Sequence, residues 1–413
     1  PSHTVELMLP YKARKIEHLR LERDLRQAIR EYAPGSDIVA DKRVWTSERP
    51  IFWKDTAKAL DYRICEHCHN LEVSKEAGIP LPENDGICSV CGKILGPKSR
   101  QRKFVEPDGF MADPKSGKPA KQYINIKPNQ MRSALIPEQN LDEEQYSNFV
   151  YTAYKRKGKL LYVNEGVYGK GFSFSLQGFE LFSNGSKKEK LSLGHIQTTD
   201  TLHIRFVGNE NFKDPPPYDE SFWLSLMYAI IHAASHALQI ERRDIDGVLS
   251  PRKSGNSWEQ TIVLYDNVPG GAGFVKTIRE NILLVLEEAF RVLNCNDCAP
   301  DTSCYHCLRD YNNQYFHHLL KKESAMKFLE SLIAELKPLD IGVPGSVRVV
   351  APNLIDWLLE KIKHTQQSLD IAVQELDFEH SQGEKYALLD TLNHLLQKDC
   401  EINLYLKDLP DTS

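Results

Sequence analysis

Residues 295–307 read CNDCAPDTSCYHC, and residues 65–68 and 88–91 read CEHC and CSVC, so eight of the nine cysteines stand in Cys-x-x-Cys pairs. Nineteen residues separate the first two pairs and five separate the second two. Each pair presents two thiolates from one tight turn, and two such turns close a tetrahedron around a divalent ion. Cys65, Cys68, Cys88 and Cys91 therefore form one expected zinc site, with the spacing of a zinc ribbon. Cys295, Cys298, Cys304 and Cys307 form the second. Gly92, directly after the second pair, lets that turn take a positive φ without a side-chain clash.

Rival uses of these thiols fit less well. Disulfides suit exported chains, but the basic, helix-prone stretch 1–20 has no apolar core or cleavage site, and reducing cytosol favours metal. A redox Cys-x-x-Cys normally comes singly and near a βαβ pattern. An iron–sulfur cluster stays an alternative at the second site, because four cysteines also hold one. Four thiolates leave no open position for water, so both zinc ions are expected to be structural and no catalytic residue is assigned. His67, His69 and His306 flank the knuckles and are read as neighbours of the ligands rather than ligands. His232 and His236 have the spacing of H-E-x-x-H, but Ala233 stands where the general base would be. Cys400 is given no role.

Outward from the cysteines, the pattern is mixed. A helix is expected over Lys12–Tyr32, stopped by Ala33-Pro34-Gly35, then strands at Asp37–Ala40 and Arg43–Trp45. The stretch 115–127 reads as a loop with one short strand, Tyr123–Ile126. Alternating apolar positions from Lys159 to Val207 (LLYV, FSFSL, FELF, LHIRFV) predict strands. Residues 222–240 carry no formal charge, yet Ser225, Tyr228, His232, Ser235 and Gln239 recur on one side. That predicts an amphipathic helix against a core rather than a membrane span.

A strand at Gln260–Tyr265 runs through Asp266-Asn-Val-Pro-Gly-Gly-Ala-Gly into a helix ending near Leu293. The glycines match no phosphate-loop motif and are read as a tight structural turn rather than an anion site. A further helix is expected over Tyr315–Leu336, then a Pro/Gly linker. A small α/β unit follows, with strands at Val347–Val350, Leu369–Gln374 and Glu401–Leu406 and helices at Asn353–Gln367 and Glu384–Gln397. The fold class is α+β and multi-domain. Its expected parts are 1–60, helix and short strands leading to an upstream motor; 61–140, zinc ribbon and basic loop; 141–337, a mixed α/β domain around the second zinc; and 346–413, a partial α/β unit.

The 413 residues carry a net charge of −5, so no global positive field advertises nucleic acid. Locally, residues 93–132 hold ten Lys or Arg against three acids. Lys98, Arg100, Arg102 and Lys103 follow the first zinc site directly and are the candidate phosphate contacts, with Phe104 and Tyr123 as candidate base-stacking rings.

The runs LYDNVPGGAGFV (264–275), CNDCAPDTSCYHCLRDYNNQ (295–314) and HHLLKKESAMKFL (317–329) resemble the MrfA-type zinc-binding domain, found at the C-terminus of a class of superfamily 2 DNA helicases. AIREYAPGSDIVADKRVW (28–45) and TTDTLHIRF (198–206) are similar to segments preceding it, so the resemblance covers most of 20–337. Relatives include repair helicases and the helicases or helicase partners of anti-phage systems such as Druantia and DISARM. The resemblance implies zinc at Cys295, Cys298, Cys304 and Cys307.

The last segment is similar to the first half of a phospholipase-D-like domain. Gly383, however, precedes Lys385 and Asp390 where the H-x-K-x-x-x-x-D signature needs histidine. No phosphate-binding loop and no D-E-A-[DH] box occur, so the ATPase motor is expected upstream of Pro1 or in a partner subunit. The expectation is a zinc-bearing accessory region of an ATP-dependent DNA helicase in bacterial phage defence. It would bind DNA in the cytoplasm, away from any membrane, with other defence-complex subunits as further partners. A scaffold that docks a separate helicase, and part of a phospholipase-D-like nuclease, are the alternatives.

Overall fold

The computed structural model describes residues 3–10, 19–53, 57–120, 131–138, 141–147, 149–174, 189–208, 215–216, 218–255 and 257–336, and the strands 368–373 and 401–406. The chain divides into two compact units, Pro1–Lys337 and Pro338–Ser413.

The first unit begins with β1 (Thr4–Met8) and β2 (Glu22–Asp24), followed by α1 (Leu25–Glu31). The predicted helix over Lys12–Tyr32 is thus shorter than expected, apart from 11–18, which lie outside the described residues. Residues 22–24 instead pair antiparallel with β1, Val5 opposite Arg23. Asp24 then starts the helix as its N-cap, accepting from the Arg26 backbone N–H at 3.0 Å. A free strand edge has outweighed helix propensity here.

The helix stops at Ala33-Pro34-Gly35 as expected, and β3 (Asp37–Ala40) and β4 (Arg43–Ile51) form a hairpin. Next come β5 (Leu60–Ile64), β6 (Leu71–Val73), β7 (Arg102–Val105), β8 (Gly109–Ala112) and β9 (Lys118–Pro119). The strand expected at Tyr123–Ile126 lies outside the described residues. Strands 2, 1, 8, 4 and 3 make one sheet in that order, with β9 on β4.

The second sheet centres on a long antiparallel pair, β12 (Val150–Asn164) and β14 (Glu189–Phe206); β10 (Met131–Leu135) and the short β11 (Glu144–Gln145) flank β12, and β13 (Phe172–Phe174) pairs with β14. Near its N-terminal end β14 runs parallel to β7, which carries β5 and β6. Near its C-terminal end it pairs with β16 (Ser257–Asp266), which pairs with β15 (Ile245–Ser254). The expected boundaries at 60 and 140 therefore do not separate sheets. Strands from 61–140 belong to both, and the zinc ribbon is an extension of the larger one. Gly194 of β14 makes that junction possible, since a Cβ there would lie 2.1 Å from the Phe104 ring.

One face of this sheet is covered by α2 (Glu220–Leu238), α4 (Ile282–Leu293) and α5 (Lys322–Leu336), with α3 (Phe274–Glu280) leading into α4. Leu202, Ile204, Ile262 and Leu264 from the strands pack with Leu226, Ile230, Leu286 and Leu329 from the helices. α2 is the expected helix but not amphipathic in use, because every residue from Phe222 to Ile231 is buried, Ser225 and Tyr228 included. The predicted single helix to Leu293 is broken at Asn281, whose side-chain amide donates to the Thr277 carbonyl at 2.9 Å, competing with the helical backbone.

The last helix of the unit starts at Lys322, later than the expected Tyr315. Backbone groups just ahead of it are claimed by α2: the Ser221 hydroxyl donates to the Leu319 carbonyl, and the Ser225 hydroxyl accepts from the Lys321 N–H.

In the second unit, β17 (Ser368–Val373) and β18 (Glu401–Leu406) run parallel, Ser368 opposite Glu401 through Val373 opposite Leu406. Parallel pairing suits the strand–helix–strand pattern expected there. The other elements predicted after 337, Cys400 and the Gly383–Asp390 stretch lie outside the described residues.

Candidate metal centres

The first knuckle hangs from the end of β5. Cys65 donates its N–H to the Asn70 carbonyl at 2.9 Å, and the His67 N–H points at the Cys65 sulfur at 3.4 Å. The second knuckle repeats the closure, with the Cys88 N–H on the Lys93 carbonyl at 2.8 Å and the Gly92 N–H on the Cys88 carbonyl at 3.0 Å. Gly92 has φ +69° as anticipated; in the first knuckle His69 holds the matching place, at φ 64°. Nothing in the local residue pattern announces a histidine in a left-handed position. Its ring lies 3.6 Å from the Glu220 carboxylate at the start of α2.

The sulfurs settle what these cysteines can hold. Cys65 lies 3.8 Å from Cys91, and Cys68 lies 3.7 Å from Cys88. In the second cluster Cys295–Cys304 and Cys304–Cys307 are 3.7 Å apart and Cys298–Cys307 is 3.8 Å. A tetrahedron with Zn–S bonds of about 2.3 Å has edges of about 3.8 Å, whereas a disulfide needs about 2.05 Å. All four sulfurs of each set lie within 4.8 Å of one another, room for a single ion but not for a multi-iron cluster. Without metal, such crowding shares protons unevenly. Hydrogen bonds from Cys65 and Cys68 hold the Cys88 thiol far below its usual range, and hydrogen bonds with Cys65 and Cys88 push Cys68 far above it. A divalent cation removes the conflict by making all four thiolates. These are two structural zinc sites.

The second cluster closes the C-terminal end of α4. Cys304 accepts at its carbonyl from the N–H groups of Cys307, Leu308 and Arg309, while its own N–H points at the Cys307 sulfur at 3.2 Å. The Lys322 ammonium, although buried, donates to the Cys295 carbonyl. The polar stripe of α2 finds its purpose here. His232 donates from Nδ1 to the Cys307 carbonyl, next to the Ser221 and Ser225 contacts with 319–321. Burial lowers the His232 pKa, which keeps the ring neutral. His232 is thus a latch on the zinc loop, while His236, with its ring centroid 4.5 Å away, lies 3.9 Å from the Glu288 carboxylate of α4. His306 is exposed and pairs with Asp297 at 2.7 Å. Among the described residues, the two cysteine sets are the groups placed to hold a metal.

Residues 226–308 match the family described as the MrfA Zn-binding domain. That MrfA-type domain spans most of α2 through Leu308 and encloses all four ligands of the second site. The chain is also similar to the Druantia protein DruE of Escherichia coli (strain UMEA 4076-1), 22% identical over 409 residues. The similarity covers 84% of this chain and 21% of that protein. In the solved structure of the DUF1998 helicase MrfA bound to DNA, a region of 12% identity aligns with 80% of this chain and 34% of that one, at a TM-score of 0.41. MrfA without DNA aligns at 9% identity and a TM-score of 0.34. The chain spans about a fifth of the curated relative and a third of the solved helicase.

The first zinc site abuts the MrfA-type domain through residues that sequence reading did not single out. Tyr218 and Trp258 meet edge-to-face at 5.0 Å, the Trp258 indole donates to the Tyr218 hydroxyl at 3.1 Å, and that hydroxyl donates to the Cys91 carbonyl at 3.4 Å. Lys93 sits 3.7 Å over the Tyr218 ring. One helix therefore has a zinc knuckle at each end: the first beside Glu220, the second against His232.

The four candidate phosphate contacts separate. Lys98, Arg100 and Lys103 are exposed. Arg102 is turned inward, its guanidinium 2.5 Å from the buried Glu165 carboxylate, which also accepts from the Tyr62 hydroxyl at 2.9 Å. Arg132 lies 3.6 Å from the same carboxylate and donates to the Lys98 carbonyl. Phe104, expected as a stacking ring, is buried edge-on against Tyr62 at 5.7 Å and has no face to offer. Tyr123 lies outside the described residues. No helix among the described residues is long and apolar enough to cross a membrane.

Proposed function

We propose that this chain is the zinc-binding accessory region of an ATP-dependent DNA helicase or translocase of bacterial anti-phage defence. It binds DNA and braces the motor in the cytoplasm, beside other subunits of a defence complex. The observation that carries this reading is the MrfA Zn-binding match over 226–308, set within a likeness to DruE that extends over 84% of the chain. A motor that pulls on DNA needs a body that does not deform beside it, and two closed metal sites gripping one buried helix supply that stiffness. The sequence carries no phosphate-binding loop and no D-E-A-[DH] box, so the ATP chemistry belongs to another part of the enzyme.

Lys98, Arg100 and Lys103 are the phosphate-contacting edge, while Arg102 holds the edge in shape through Glu165. The test is DNA binding by the 413-residue chain, followed by fluorescence anisotropy over a range of salt. Replacing Lys98, Arg100 and Lys103 by Glu should weaken binding and reduce the slope of log K against log salt by about 2–3. Identical curves for wild type and variant would remove this edge from the DNA path.

A further inference from the structure

The second zinc loop and the residues just after it carry three rings with little to do inside the fold. Tyr305 is 64% exposed, Tyr311 70% and Tyr315 64%, and no exposed aliphatic side chain of comparable size stands among them in the described residues. The backbone beneath them is nevertheless rigid. Tyr305 lies between zinc ligands Cys304 and Cys307, and its ring meets His317 edge-on at 5.6 Å. The His317 imidazole is fixed by the Asp310 carbonyl at 3.1 Å and the Asn313 side-chain oxygen at 2.9 Å. Asn313, fully buried, ties the same loop to the Leu308 carbonyl at 2.8 Å. Tyr315 rests against Phe316, which packs towards Tyr228 of α2. Three exposed aromatic faces thus project from a frame held by metal, hydrogen bonds and core contacts.

His318 directly follows the His317 ring that Tyr305 meets. Glu220 lies within electrostatic reach of Lys98, Arg132 and His318, so the exposed edge of the ribbon and the segment after Tyr315 converge on one carboxylate. The loop also carries Asp297, Asp301 and Asp310, of which Asp297 pairs with His306 and Asp310 is turned to the Asn312 N–H at 2.7 Å. π-Faces beside cations suit unstacked bases with their phosphates.

We propose that Tyr305, Tyr311 and Tyr315 form a stacking platform for single-stranded DNA, whose backbone continues toward His318 and Lys98. This rests on the reading of the chain as a DNA-binding helicase region and narrows it to one strand form and one surface. Ordering the tyrosines costs little entropy, since their loop is already fixed, so stacking adds nearly its full contribution. The platform accepts any sequence, because every base has a π-face.

The experiment uses the 413-residue chain with two probes: a single-stranded oligonucleotide carrying 2-aminopurine, and a blunt duplex of the same sequence. Changing all three tyrosines to Leu keeps apolar area but removes the rings, and changing them to Phe keeps the rings. The Leu variant should bind the single strand roughly tenfold or more weakly and lose the stacking-dependent quenching of 2-aminopurine. Its duplex binding and zinc content should stay at wild-type values, and the Phe variant should behave as wild type. Single-strand binding by the Leu variant within twofold of wild type overturns the platform, as does an equal loss on both probes. Wild type binding only the duplex also overturns it, yet leaves the DNA-binding reading standing. Wild type binding neither probe sinks both.

Discussion

Cys65, Cys68, Cys88 and Cys91 keep between 0% and 8% of their surface exposed, under Val90, Leu95 and Trp258. Of the second set Cys307 alone is buried, while Cys295, Cys298 and Cys304 are half-buried at the rim of the helical core. The ligand chemistry is the same, so the difference comes from the chain between the pairs. Nineteen residues let the ribbon's knuckles fold face to face and be roofed by the neighbouring domain. Five residues force the second pair of turns into one compact loop, whose inner side rests on α2 and α4 and whose outer side faces solvent. A protein can thus use one metal motif as a sealed rivet and as a surface frame. The second is the place from which exposed side chains are held rigidly.

The largest effect should appear when the metals are removed. A chelating dye in excess should release two zinc per chain in two phases. The faster belongs to the second site, and the phases should differ by roughly tenfold or more, because a sealed site opens only with its surrounding structure. Cys298→Ser should delete the fast phase and Cys68→Ser the slow one. A single phase in wild type would dissolve the distinction drawn above.

Next in size is Asp266. Its carboxylate accepts from the N–H groups of Ala272 and Gly273 at 2.6 and 2.7 Å, Phe274 at 3.3 Å and Val275 at 3.0 Å. The glycine-rich turn is an anion cradle filled by the chain's own aspartate. Asp266→Asn leaves one oxygen for four donors and should cost about 3 kcal/mol. Because the cradle starts the helices that lead to Cys295, zinc release from the second site should quicken while the first site is unaffected. Equal acceleration at both sites would show that the cradle supports the unit as a whole.

That cradle also shows how far the sequence could be read. Gly270, Gly271 and Gly273 announced a special turn and failed every phosphate motif, so a structural turn was legible; that Asp266 would be the anion was not, because its partners depend on how the strand end meets the helix. The metal sites were legible for a related reason. Thiolate spacing is local and the tetrahedron is closed by chemistry, so eight ligands could be named without the fold. The basic run was less informative, since exposure is a property of packing: Arg102 and Lys103 are adjacent in sequence, yet one faces Glu165 and the other solvent. The polar stripe of α2 misled for the same reason. Ser225 and Tyr228 read as the polar side of an amphipathic helix and are instead buried where the second zinc loop docks.

Trp258 is the roof of the first site, and Trp258→Ala should remove about 2 kcal/mol of packing there. With the indole gone, Tyr218 loses its partner at 5.0 Å and the Cys91 carbonyl loses its fixed donor. Slow-phase zinc release should move toward the fast phase, converting the sealed site into a copy of the open one. A slow phase unchanged by this substitution would mean that the ribbon's own turns, and not the roof, protect the metal.

The smallest effect distinguishes the two knuckles of the first site. His69 and Gly92 share a left-handed backbone that costs a non-glycine residue about 1–2 kcal/mol, so His69→Gly relieves strain. It also gives up the ring's burial and adds unfolded-chain entropy of about 0.5–1 kcal/mol, leaving little net change at pH 7.5. Zinc-saturated urea titrations at pH 7.5 separate the terms when His69→Ala is set beside His69→Gly. Both lose the ring, but only Ala keeps a Cβ in the left-handed turn, so Gly should be about 0.5–1 kcal/mol the more stable of the two. Equal stabilities would mean that the turn costs a side chain nothing at this position.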